Sequence, residues 1–147
     1  MESWGHEVIV VGDKDVESLI GLDIVAYQEA EGGAMGYPGG VFFVTSDKRV
    51  FFTCLLDPSA YSGFSIKMSE DNLLRVFPPL AKVKWGMFGM GSRYPDGWHY
   101  EYLGMGNHLL VRDDLKEEFL KESERLLRCK PDHILYNVWL DTVLSIL

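Results

Sequence analysis

The sequence predicts an α+β fold, a mostly antiparallel sheet with two C-terminal helices packed on it, and three observations carry that expectation. Short β-branched and aromatic runs crowd the middle of the chain, clearest in Val41-Phe42-Phe43-Val44-Thr45 and Val50-Phe51-Phe52-Thr53-Cys54. The strongest helical signals come last, after residue 113. Strands and helices also lack the regular alternation of a doubly wound parallel sheet. At 147 residues, 1–147 reads as a single globular domain.

Taken in order, Glu7-Val8-Ile9-Val10-Val11-Gly12 is a branched apolar run stopped by glycine and reads as a short buried strand. Asp13 is positioned to cap a short helix through about Ile20, which Gly21 ends. Leu22 to Glu29 alternates, with Ile24, Ala26 and Gln28 on one face and Val25 and Tyr27 on the other. The two aromatic runs then form a hairpin across Ser46-Asp47-Lys48. This loop lacks the glycine of a mirror-image two-residue turn, so a longer loop built around a type I turn is expected. Ser69 caps a helix through about Val76, terminated by Pro78-Pro79.

The run Lys82 to Phe88 is expected to pair with Trp98 to Leu103 across the turn Arg93-Tyr94-Pro95-Asp96-Gly97. Alternation in the second run places Trp98, Tyr100 and Tyr102 on one face and His99, Glu101 and Leu103 on the other. His108 to Arg112 is a last strand. Asp114 and Glu117 stand at capping-box spacing before a helix to residue 129 with the stripe Leu115, Phe119, Leu126. Glu117–Lys121 and Glu124–Arg128 are four apart on its wet face. After Lys130-Pro131-Asp132, His133 to Leu147 is apolar nearly all round, hence a buried helix.

Composition narrows the function classes. Apolar residues at 47% and charged residues at 24% describe a chain with a real core. The longest apolar-rich stretch, the 14 residues Ile134 to Leu147, is too short for a membrane span. The first residues lack the basic start and apolar run of a secretory signal, so a cytoplasmic location is expected. Cys54 and Cys129 have no close ligand spacing and read as reduced thiols, Cys54 buried in its strand and unreactive. The net charge of −8 is uneven: residues 1–33 hold eight acids against one base, Lys14. Such a field repels phosphate backbones and attracts basic proteins. The expected partner is therefore a protein, basic in character, with no nucleic acid and no membrane.

Eleven of the fifteen glycines fall in residues 32–40 and 86–106, interleaved with Met35, Tyr37, Met87, Phe88, Met90, Tyr94, Trp98 and Met105. Thioethers and amphipathic rings among glycines suit an adaptable contact surface; as a plain structural reading they plug the sheet ends. Gly89-Met90-Gly91-Ser92-Arg93 lacks the third glycine of a dinucleotide loop and the Gly-Lys-Ser/Thr ending of a P-loop. No catalytic motif, metal set or cofactor fingerprint stands out, and none is assigned.

The hairpin Thr45 to Phe52 resembles the strand-turn-strand of pleckstrin-homology and GRAM-type modules. The helices expected near 14–20 and 69–76, the helix after Pro131 and the lack of a basic lipid-facing cluster depart from that pattern, and no family is assigned.

The reading that results is a non-enzymatic acidic protein-binding module, of the kind represented by immunity-type inhibitors of basic toxins. Its contacts are placed at Arg93, Tyr94, Trp98, Tyr100, Asp13, Asp15 and Glu17. The alternative is a small enzyme or ligand-binding domain using a His99, Glu101 and His108 pocket with Arg93 beside the glycine loops.

Overall fold

A computed structural model describes residues 2–3, 6–30, 40–54, 66–82, 95–104, 107–129 and 138–147. Its strands are β1 (Glu2–Ser3), β2 (His6–Val10), β3 (Ile24–Ala30), β4 (Gly40–Thr45), β5 (Val50–Cys54), β6 (Trp98–Gly104) and β7 (Asn107–Arg112). The helices are α1 (Val16–Leu19), α2 (Glu70–Val76), α3 (Lys116–Cys129) and α4 (Val138–Ile146). One sheet runs in the order β1-β2-β5-β4-β3-β7-β6. Every neighbouring pair is antiparallel except β2 and β5.

The sheet buries both faces. On one, Val8, Phe42, Val44, Phe52, Leu109 and Val111 meet Phe119 of α3 and Trp139, Leu140 and Val143 of α4. On the other, Tyr27, Val41, Phe43, Phe51 and Leu110 meet Val16 and Leu19 of α1, and Leu73, Val76, Phe77 and Leu80 of α2 and the 3-10 turn after it. This double burial explains why β4 and β5 are buried at every residue, a continuous apolar run rather than a half-wet alternation. The C-terminal helices cover one face as expected, and the two short helices supply the other cover.

Several local devices differ from expectation for identifiable reasons. Ile24 packs on the Tyr27 face while Ala26 packs on the opposite one, because β3 shifts register between Ile24 and Ala26. The run Lys82 to Phe88 falls beyond residue 82 outside the described residues, and the strand recorded against β6 is β7. The 133–147 helix is described from Val138 onward. Asp114 does not close a capping box; its carboxylate takes two hydrogen bonds from the Arg112 guanidinium, at 2.6 and 3.1 Å. Arg112 also reaches Asp23 at 2.6 Å, tying the start of β3 to the end of β7.

Other expectations match the structure. Ser69 caps α2 by accepting from the Asn72 amide, and Gly21 ends the first helical segment at φ +90°. In the β4–β5 loop Lys48 N–H donates to Thr45 O, and Lys48 itself stands at φ +68°. That is the three-residue loop of a turn followed by a left-handed residue. Glu124 and Arg128 pair at 3.0 Å. Cys54 is buried, with no exposed surface. No helix among the described residues is long and apolar enough to cross a membrane.

Candidate functional site

The register sorts the side chains of the last three strands into rows. On the α3/α4 face His99 stands opposite Val111, and Glu101 opposite Leu109. The imidazole Nε2 and the Glu101 carboxylate are 3.7 Å apart, longer than a hydrogen bond. His108 stands opposite Tyr102 and so projects from the other face. The pocket expected from His99, Glu101 and His108 is therefore not assembled. A one-residue bulge between Tyr102 and Gly104 is the cause. Continued without it from Gly104 opposite Asn107, the ladder would set His108 against Leu103, on the His99 and Glu101 face.

On its own face His108 finds different company. Glu29 is its direct cross-strand neighbour on β3, the Tyr27 hydroxyl donates to Glu29 Oε2 at 3.2 Å, and the Tyr100 hydroxyl meets His108 Nδ1 at 2.6 Å. The Tyr100 and His108 rings stack with centroids 5.8 Å apart. Glu29 and His108 are 7% and 8% exposed, so an acid and a base share a nearly dry site. Burial first, and the Glu29 carboxylate second, push the Tyr27 phenol well above its ordinary pKa and keep it a donor. Their row continues through Val41 to Thr53, whose Oγ is buried with no hydrogen-bond partner. Sequence reasoning missed Glu29 and Tyr27. The available signal was two polar residues, Gln28 and Glu29, closing a strand whose other residues are mostly apolar.

The expected protein-contact residues divide. Trp98 and Tyr100 are half-buried and turned inward: Trp98 meets Phe77 edge-on at 4.9 Å, and Phe77 stacks on Tyr27. They do not form a free aromatic face. Arg93 and Tyr94 lie outside the described residues.

Of the acids, Asp13 does not cap the helix that follows it. Its carboxylate bridges to Ser69 N and Asn72 Nδ2, both at 2.8 Å. Asp15 accepts from Gly12 N at 2.9 Å, and Glu17 pairs with Arg75 at 2.6 Å with most of its side chain exposed.

The two donors from Asn72 and Ser69 hold the Asp13 carboxyl below the usual carboxylate range. Its stabilisation is thus complete above the ordinary carboxyl pKa of about 3.9 and disappears as pH falls through the lower folded value. Asp13→Ala should cost about 1 kcal/mol in urea melts at neutral pH, as for a lost capping carboxylate. The difference from the native chain should shrink as pH falls below the ordinary carboxyl range and vanish once the folded carboxyl is protonated; a gap that persists there would show that packing, not charge, is what Asp13 contributes.

Among the described residues no group of three or more His, Cys, Asp or Glu side chains is arranged to hold a metal ion. Comparison with protein-family models, with curated proteins and with solved structures gives no match.

Proposed function

We propose that the chain is a non-enzymatic acidic module that binds a basic protein, with an immunity-type inhibitor of a basic toxin as the form this reading takes. The observation that carries it is the acidic surface of the α1/α2 layer. Asp13 pins the start of α2, which brings Glu70 and Asp71 of its first turn beside Asp13 and Glu17. All four are exposed; with Glu17 and Arg75 paired to each other, Asp13, Glu70 and Asp71 stand against Lys14 and Lys67. Asp13 and Asp15 carry structural hydrogen bonds, so charge reversal that spares the fold is placed at Glu17, Glu70 and Asp71.

Charged surfaces of this kind raise encounter rates by about 10- to 1000-fold at low salt. Charge reversal at Glu17, Glu70 and Asp71 together should slow association with any basic protein that the native chain captures by about tenfold or more, with little change in dissociation. It should also flatten the salt dependence of the association rate. A native association rate that ignores salt would overturn the proposal. The competing pocket reading retains only His99 and Glu101 on one face; alanine at both should leave binding intact.

A further inference from the structure

We draw no further inference here: the strongest candidate, the half-buried His6–Asp141 pair that joins β2 to α4 at 2.6 Å, is accounted for as a contact between strand and helix, since no third ionisable or nucleophilic side chain among the described residues is bonded to either group.

Discussion

Phe119→Ala should destabilise the protein by about 3–5 kcal/mol, the usual cost of emptying a phenylalanine site in a core. Phe119 is 1% exposed and belongs to the cluster that includes Phe42, Val44 and Trp139. The effect is large because α3 has few anchors. It is strongly amphipathic, and Phe119 and Leu126 are its buried apolar residues among those whose side chains are described. Losing the larger of the two loosens α3 from the sheet and from α4, which covers the same face. Urea unfolding should show the lower midpoint with an unchanged slope. Leu120→Ala is the control: Leu120 is among the exposed large apolar residues, and its truncation should cost less than about 0.5 kcal/mol. A Phe119→Ala cost no greater than the control's would mean that α3 is not held by its apolar stripe.

That stripe shows how much of the fold the sequence makes legible. Leu115, Phe119 and Leu126 recur at helical spacing, and the structure buries the last two and packs the first against the cluster that holds Phe119. The β4–β5 hairpin is equally plain, because two continuous aromatic runs flank a short polar loop. In each case the signal and the structure lie within one short segment.

What was not legible depends on register and on distant pairing. Ile24 changes face because of a bulge in β3, and the β6–β7 register, with its bulge beyond Tyr102, sets His108 on the face away from His99 and Glu101. A single inserted residue redirects every side chain beyond it, and alternation read from sequence carries no sign of it. Hence the His99, Glu101 and His108 grouping failed by one residue, while Glu29, distant in sequence from His108, became its neighbour. Asp13 is a second case. Its type and position before a helix suit a cap, yet its carboxylate reaches residues 69 and 72, a choice made by how α1 and α2 pack.

Gly40→Ala should cost about 3 kcal/mol, the upper end of the usual range for overpacking. Gly40 opens β4 opposite Cys54, and a Cβ added there would run into the Thr53 carbonyl oxygen and lie 2.8 Å from Phe52 Cζ. Neither neighbour can yield cheaply. The carbonyl belongs to the β5 backbone, whose pairing with β4 would have to shift, and Phe52 has no exposed surface and packs on Phe42 with centroids 4.8 Å apart. The requirement is for space, which distinguishes it from Gly21, where nothing lies within 4 Å but the backbone is at φ +90°. Asparagine tolerates that left-handed conformation, so Gly21→Asn should be mild while Gly40→Asn should be worse than Gly40→Ala. Thermal melts of the three variants separate the two causes: if Gly40→Asn were as mild as Gly21→Asn, the close approach of β4 to β5 at Thr53 would be wrong.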